Sequence, residues 1–370
     1  MDAALFQITE RIRAALADHT PLRLRGGGSK DFHALQLQGD LLDTRDWRGI
    51  VSYEPSELVV TVRAGTPLAE LEAVLAAQGQ CLAFEPPHFG AATVGGMVAT
   101  GWSGPSRASV GAVRDYVLGV TVLNGQGQLL TYGGQVMKNV AGYDVSRLMA
   151  GSWGTLGLIT EVSLKVLPVA PGETTLRFDG LSQAEALQRL NQWGGQPLPL
   201  NASCWVPDAA GADTGTLYLR LGGARAAVEA ACRSLGGVRL DDAATAADWQ
   251  ACREQTLPWF AQRAADHVLW RLSVPQTAPV LALPHGVGAP LIEWHGGQRW
   301  VQAPRSQGPA LQALAQSVGG SASLFRAESA DQISASPIFD VQNPAVQRIQ
   351  AQLRQAFDPV GIFNPGRTMA

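Results

Sequence analysis

The sequence predicts an α+β fold of two domains, and three observations lead to that prediction. Its 370 residues exceed the size of one ordinary hydrophobic core. Short strand-like runs are separated by short helices, without the regular repetition of βαβ units. A proline- and glycine-rich stretch at residues 168–172 interrupts this pattern. We therefore expect a domain boundary at this stretch, with a first domain at 1–172 and a second domain after it.

The elements of the first domain follow from its periodicity. Apolar residues recur at helical spacing from residue 3 to 18, and a proline soon ends that helix. Residues 22–25 alternate between apolar and basic side chains, as a strand does, and three glycines follow them. Asn124-Gly125 is a hairpin signal between two apolar runs. The remaining expected elements are strands at 49–53, 58–62 and 156–167, a helix at 68–78 and the hairpin at 117–131.

In the second domain, stretches whose apolar residues have helical spacing alternate with stretches whose apolar residues have strand spacing. Its residues are rich in alanine, glutamine and glycine, and the pattern again mixes both element types. The expected helices are 181–193, 224–235, 242–254 and 308–318, the expected strands lie near 215–221, 268–274 and 290–302, and a last helix covers 344–357.

Composition excludes several classes of protein. The chain is 46% hydrophobic and 16% charged, with a net charge of −3 and no run of basic residues that would bind nucleic acid. No stretch of about 18 apolar residues predicts a membrane span, and no leader is recognised. We expect a cytoplasmic protein, with peripheral attachment to the inner face of the membrane through a complex left open.

The cysteines are too widely spaced for a shared role. Cys81, Cys204, Cys232 and Cys252 form no CxxC motif and no close pair. A disulfide framework and an iron–sulfur cluster both need grouped cysteines. We therefore expect buried free thiols.

Three glycines follow the first predicted strand, in the segment 25–30 of sequence RGGGSK. Because glycine carries no Cβ, successive main-chain N–H groups can converge there on one phosphate. Ser29 adds a hydroxyl donor, and Arg25 and Lys30 make the surroundings positive. The spacing is neither that of a Rossmann loop nor that of a Walker A loop. On its own, the segment is equally compatible with a tight surface turn.

Two further segments consist largely of small residues. Residues 93–101 read TVGGMVATG, and residues 151–159 read GSWGTLGLI. Small side chains allow close approach of either a planar ligand with its pyrophosphate or a packed helix. Three such segments in one domain favour a long ligand with a phosphate centre and a flat aromatic end, for which a dinucleotide is the natural candidate.

These segments, taken in order, resemble the FAD-binding domain of the vanillyl-alcohol oxidase/p-cresol methylhydroxylase superfamily. Residues 113–120, 138–144 and 151–159 and the ending 357–367 are similar to its D-2-hydroxyacid dehydrogenase branch. Trp153 and the stretch 293–300 resemble the family of glycolate oxidase FAD-binding subunits. The resemblance implies a two-domain flavoprotein with an FAD-binding domain at 1–172 and a reduced α+β cap domain at 173–340. It also implies that a C-terminal segment at 341–370 returns to the FAD-binding domain.

The resemblance also implies how FAD is held. The first loop is expected at the pyrophosphate, the second along the ribityl–pyrophosphate side, the third along the adenine or flavin, and Asn364 near the isoalloxazine. Some relatives attach FAD through a histidine after the first loop, whereas position 29 is serine here, so binding is expected to be non-covalent. The implied cofactor-binding residues are Arg25, Gly26, Gly27, Gly28, Ser29, Lys30, Thr93, Gly95, Gly96, Thr100, Gly101, Gly154, Thr155, Gly157, Ile159 and Asn364.

Oxidation of a 2-hydroxy acid needs a base for the hydroxyl proton, a cation for the carboxylate and a flavin that accepts hydride. His295 is the candidate base, and Arg271 and Arg299 are the candidate cations, although packing roles stay open for all three. The histidine- and acid-rich metal motif of larger relatives is missing. No two histidines have i, i+4 spacing, so no metal is expected.

The resemblance implies a larger FAD-binding glycolate oxidase subunit and an iron–sulfur subunit as partners, with glycolate or a similar small 2-hydroxy acid as substrate. Three functions stay open. The chain oxidises the acid at its own flavin, or it is a non-catalytic flavin-bearing or assembly subunit. The third is a stand-alone FAD-dependent oxidase of another alcohol.

Overall fold

The computed structural model describes residues 2–33, 38–135, 143–208, 214–327 and 343–367. The chain divides into two compact units. Unit 1 comprises Met1–Ser103, Ala112–Val169 and Val341–Ala370, and unit 2 comprises Gly104–Gly111 and Ala170–Asp340. Both units mix helices and strands, so the predicted α+β class is confirmed. The assignment of an FAD-binding and a cap domain to these residues stays a prediction.

The elements of unit 1, numbered along the chain, are α1 Ala3–Asp18, β1 Leu22–Arg25, β2 Asp40–Asp43, β3 Ile50–Glu54, β4 Val59–Arg63, α2 Leu68–Ala76, β5 Gln80–Cys81, α3 Val94–Thr100, β6 Val117–Leu123, β7 Leu129–Gly133, α5 Val145–Leu148, β8 Leu158–Lys165, β9 Leu167–Pro168 and α11 Pro344–Phe357. Strands β3, β4, β8, β6 and β7 form an antiparallel sheet in that order. Two pairs stand apart from it, the parallel pair β1–β2 and the antiparallel pair β5–β9.

The core of unit 1 joins the two ends of the chain. Helix α1 buries Ile12 against Leu22 of β1 and Phe363 of the C-terminal segment. Leu22 and Phe363 also form a parallel bridge, and the Leu22 N–H donates to the Ile362 carbonyl at 2.6 Å. Burial of each such side chain stabilises the fold by about 1.5–3 kcal/mol. The C-terminal segment therefore fixes β1 and the glycine loop that follows it.

The elements of unit 2 are α4 Arg107–Val110, β10 Gly172–Ser182, α6 Gln183–Gly194, β11 Leu200–Pro207, β12 Thr214–Gly223, α7 Arg225–Leu235, β13 Val238–Arg239, α8 Asp242–Glu254, α9 Pro258–Ala261, β14 His267–Ser273, β15 Leu291–Glu293, β16 Gln298–Pro304, α10 Gly308–Ser317 and β17 Ser321–Arg326. Its strands form one antiparallel sheet of order β13-β10-β12-β11-β15-β16-β14-β17. Helices α6 and α7 pack on one face through an apolar cluster that includes Trp193, Trp205 and Val228.

The structure corrects several sequence-based expectations. The strand expected over 290–302 is two strands, because Trp294, His295 and Gly296 all have positive φ and turn the chain between β15 and β16. Strands β10, β11 and β17 were not predicted. None of the four cysteines, all of which lie in the described ranges, forms a disulfide, and only Cys204 and Cys252 are buried. Residues 138–142 of the motif 138–144 lie outside the described residues.

Within the described ranges, no helix combines the length and the apolar content that a membrane crossing requires.

Candidate functional site

The first glycine loop of unit 1 presents unused main-chain donors. The N–H groups of Gly27, Gly28 and Ser29 donate to no acceptor among the described residues. Gly28 has a φ of 70°, in the left-handed region that favours glycine. Successive N–H groups in such a turn form a concavity that binds anions. The loop therefore has the main-chain geometry of an anion-binding turn.

An open trough in unit 1 brings the predicted segments together. It holds about 730 Å³ of empty space, counting the part open to solvent. All three small-residue segments line it, together with the C-terminal segment. The predicted cofactor residues that line the trough are Arg25, Gly26, Gly27, Gly28, Ser29, Lys30, Thr93, Gly95, Gly96, Thr100, Gly154, Gly157, Ile159 and Asn364.

Two predicted cofactor residues do not line the trough. Gly101 ends α3 with a φ of 65°, and its N–H donates to the Met97 carbonyl at 3.0 Å. Thr155 donates its hydroxyl proton to the Ser152 carbonyl at 2.7 Å. Both therefore shape their own loops, a role that motif spacing does not distinguish from ligand contact.

The glycines allow the loops to touch each other. A Cβ on Gly27 would collide with the Ala91 carbonyl, and a Cβ on Gly26 would collide with the Thr93 side chain. A Cβ on Gly96 differs, because it would meet only the Thr93 Oγ1, at 3.2 Å. Gly26 and Gly27 thus serve loop packing, while Gly96 leaves room inside the trough.

Charged groups surround the first loop. Asp31 accepts from Arg25 Nε at 2.8 Å and from Arg367 Nη2 at 3.2 Å, so one carboxylate connects two guanidiniums. Lys30 Nζ donates to the carbonyls of Pro87 and His88 at 3.0 and 2.9 Å. The trough is thus lined by three cations and one carboxylate, which leaves a positive balance. That balance suits an anionic ligand.

Arg367 is a lining residue that sequence reasoning missed. Its guanidinium also approaches the carbonyls of Lys30 and His33. Burial, as the largest effect, lowers the pKa of Arg367 below its usual value in spite of the neighbouring Asp31. Arg367 lies in the ending 357–367, but no local sequence pattern indicates that it reaches a loop more than 300 residues earlier.

Asn364 joins the C-terminal segment to two other parts of unit 1. Its Oδ1 accepts from the Leu24 N–H at 2.7 Å, and its Nδ2 donates to the Trp153 carbonyl at 2.7 Å. It adopts a left-handed φ of 44°. Asn364 thus positions the first and third loops relative to each other while it lines the trough.

Aromatic rings cluster beside the trough. Trp153 lines it and stacks on His33 with ring centroids 4.9 Å apart and planes 24° apart. Trp102 packs edge-on against both rings, at 5.0 Å from His33 and 5.3 Å from Trp153. His88, which comes just before the second small-residue segment, pairs with Glu72, its Nε2 lying 3.0 Å from Oε2.

The candidate base belongs to unit 2. His295 is buried in the turn after β15, with its Nε2 3.0 Å from Ser109 Oγ and its Nδ1 3.0 Å from Ser203 Oγ. Its main-chain N–H also donates to Ser203 Oγ. Burial lowers the pKa of His295 to about 4. The ring is therefore neutral at physiological pH and bonded to a hydroxyl on each side, of which Ser109 is exposed.

The two candidate cations differ in their surroundings. The Arg299 guanidinium donates to the carbonyls of Gly296, Pro279 and Ala278, which favours a structural role over the predicted carboxylate clamp. Arg271 Nε, in contrast, is shielded from solvent and donates to no described residue. Burial, followed by the nearby Arg107, lowers the pKa of Arg271 to about 10.

In the part of the chain that the structure describes, no group of three histidine, cysteine or acidic residues is placed to hold a metal ion.

Comparison with known proteins connects this geometry to a family. Residues 6–133 match the family described as FAD binding domain. The chain is 43% identical over 365 residues to the glycolate oxidase subunit GlcE of Escherichia coli, covering 98% of this chain and 97% of that one. It is 29% identical over 203 residues to the D-lactate dehydrogenase of Archaeoglobus fulgidus, and spans 44% of that protein's length.

Solved structures share the fold. Alkyldihydroxyacetonephosphate synthase matches with a TM-score of 0.65 at 15% identity, over 97% of this chain and 75% of the other. That likeness extends the match beyond residues 6–133. The near full-length match to GlcE and the FAD-binding segment together show that the chain belongs to the family of FAD-binding glycolate oxidase subunits.

Proposed function

We propose that this chain binds FAD non-covalently in the trough of unit 1 and oxidises glycolate or a similar 2-hydroxy acid as one subunit of a complex. The observation that carries the proposal is the row of unused N–H groups at Gly27, Gly28 and Ser29, because a pyrophosphate would satisfy all of them. The name of the GlcE relative, which matches almost the full length, supports the reaction class.

The residues present fit the cofactor. The positive balance of Arg25, Lys30 and Arg367 around Asp31 suits the pyrophosphate, and Gly96 leaves space where a side chain would intrude. Trp153 offers a flat apolar wall to an aromatic ring. FAD, when bound, supplies the acceptor for a hydride.

The chain's own residues supply proton handling. A neutral His295 can take a proton, and the Ser109 hydroxyl on its Nε2 connects the buried ring to an exposed position. Ser203, which bonds both Nδ1 and the main-chain N–H, holds the ring in place. Arg271 supplies a cation for the carboxylate.

A first experiment tests the cofactor. The purified chain should carry one FAD, and acid precipitation should release all of it into the supernatant as free FAD. Colour that stays with the precipitate would contradict non-covalent binding, and a chain that neither retains nor takes up FAD would refute the flavoprotein proposal.

A second experiment separates the functions left open by the sequence. Glycolate or D-lactate is mixed anaerobically with the FAD-loaded chain while flavin absorbance is followed. Bleaching without partner chains supports catalysis at this flavin, and its loss in His295→Gln supports the role of the base. Absence of bleaching favours a non-catalytic subunit, while turnover with oxygen alone favours a stand-alone oxidase.

The partners form a separate part of the proposal. We expect a larger FAD-binding subunit and an iron–sulfur subunit to accept electrons, since the four cysteines of this chain are not grouped as an iron–sulfur cluster requires. Co-purification from cells that express all three chains tests this, and recovery of the chain alone at every salt concentration would contradict it.

A further inference from the structure

Arg271 of unit 2 is a half-buried cation whose shielded Nε bonds none of the residues that the structure describes. It lies in the middle of β14, where it pairs across the sheet with Trp300 and Ser323. Its Nε is shielded from solvent and bonds no described residue. A buried charged donor without a partner costs stability, so a fold keeps one only where something else compensates.

A second arginine lies near it. The Arg107 guanidinium packs over the Trp294 ring, 4.4 Å from its centroid, and the Trp294 indole N–H donates to the Gly104 carbonyl at 2.9 Å. The charge of Arg107 adds to burial in depressing the pKa of Arg271. The segment Gly104–Gly111 thus brings a second positive charge towards an arginine whose Nε bonds no described residue.

We propose that Arg107 and Arg271 form a binding site for a small carboxylate within unit 2, beside Ser109 and His295. An anion between the guanidiniums would relieve their mutual repulsion and give the Arg271 Nε an acceptor. Planar guanidiniums bind carboxylates through paired N–H donors, which makes a carboxylate the fitting anion.

The site also explains the neighbouring hydroxyl. Ser109 follows Arg107 by two residues in the same short segment, and its exposed Oγ bonds the ring of His295 at 3.0 Å. A hydroxyl on the carbon next to the bound carboxylate would meet a group that can pass on its proton. The identification of the ligand as a 2-hydroxy acid rests on the proposed function, whereas the binding of a carboxylate does not.

Binding is measured on the full chain, and oxalate, which has no hydroxyl group to oxidise, reports binding without turnover. The FAD-loaded protein is titrated with oxalate and with glycolate, and tryptophan emission and melting temperature are recorded against potassium chloride of equal ionic strength. Ethylene glycol, which lacks the carboxylate, is the neutral control. Saturable binding of the acids but not of ethylene glycol is expected, and an effect no larger than that of potassium chloride would overturn the proposal.

The half-buried Arg271 and the buried Arg299 of the same unit give opposite expectations when each is replaced by methionine. Arg271→Met should weaken oxalate binding at least tenfold, as expected for the loss of a charge-assisted contact. It should leave the melting temperature of the ligand-free chain equal or higher, because it removes an uncompensated charge. Arg299→Met should lower that temperature by more than about 4 °C, because it leaves three carbonyls, those of Gly296 and Ala278 buried, without their donor.

Arg107→Met completes the design. It should weaken oxalate binding at least tenfold as well, and the double variant should lose binding altogether. Unchanged oxalate affinity in either single variant refutes the site, as does an Arg271→Met chain that is destabilised like Arg299→Met. If oxalate binds in this pattern but glycolate never reduces the flavin, the site stands and the proposed oxidation fails.

Discussion

Acid should destabilise this protein through one buried ring. His295 has its pKa lowered from 6.5 to about 4 because the protein shields the ring from water. In the unfolded chain the ring regains its ordinary pKa. Between these two values the unfolded state binds more protons than the folded state, so stability falls as the pH falls from 6.5 towards 4. Above pH 6.5 the ring contributes no pH dependence.

The size of the effect follows from the shift. A difference of about 2.5 pKa units corresponds to about 3 kcal/mol once the pH lies below both values, at 1.36 kcal/mol per unit. At pH 5 about 2 kcal/mol of this loss should be reached. That is a large part of the stability of an ordinary domain.

The assay compares urea unfolding at pH 7.5, 6 and 5 for the natural chain and His295→Gln. Gln keeps an amide that can bond Ser109 and Ser203 but has no titrating ring. Between pH 7.5 and 5, the free energy of unfolding should fall by about 2 kcal/mol less in the variant than in the natural chain. His285→Gln, at an exposed histidine of the same unit, is the matched control and should behave like the natural chain. Equal pH slopes for His295→Gln and the natural chain would refute the reasoning.

The remaining predictions concern unit 1. Gly27→Ala should destabilise the fold by about 1–3 kcal/mol through overpacking, and it should also lower the FAD content. Gly96→Ala should change the stability by less than about 1 kcal/mol and should mainly weaken FAD binding. Urea unfolding and FAD titration distinguish the two, and equal effects would contradict the assignment. Asn364→Ala removes two hydrogen bonds to buried main-chain groups, so we expect a loss of about 2–4 kcal/mol of stability and a fall in retained FAD. Asp31→Asn should release Arg367 and make FAD affinity more sensitive to salt, which a titration at 50 and 300 mM chloride would check; unchanged salt dependence counts against the bridge.

Local chemistry made the glycine loops predictable. Where a loop packs so closely on its neighbours that no Cβ atom fits, only glycine is possible. Residues 26, 27 and 95 meet this condition and are recognisable as glycines in the sequence. The same signal cannot tell ligand contact from loop packing, which is why Gly101 and Thr155 were included although they do not line the trough.

Long-range contacts were not predictable. Arg367 contacts Asp31 across 336 positions, and no local pattern encodes that pairing. Arg299 fits a carboxylate clamp in sequence, but the fold turns its donors to the carbonyls of a neighbouring loop. The segment Gly104–Gly111 belongs to unit 2 although both of its flanks belong to unit 1, and composition gives no sign of that division.

The bridge between Leu22 and Phe363 has a consequence for biosynthesis. Strand β1 lacks this partner until almost all 370 residues have been translated, which takes about 20–70 s at ribosomal rates. The apolar faces of α1 and β1 therefore lack their C-terminal partner during that time and are prone to aggregate. A chain that stalls before residue 363 cannot complete the apolar core that Leu22 and Phe363 share in unit 1. We expect such a chain to depend on chaperones or to be degraded.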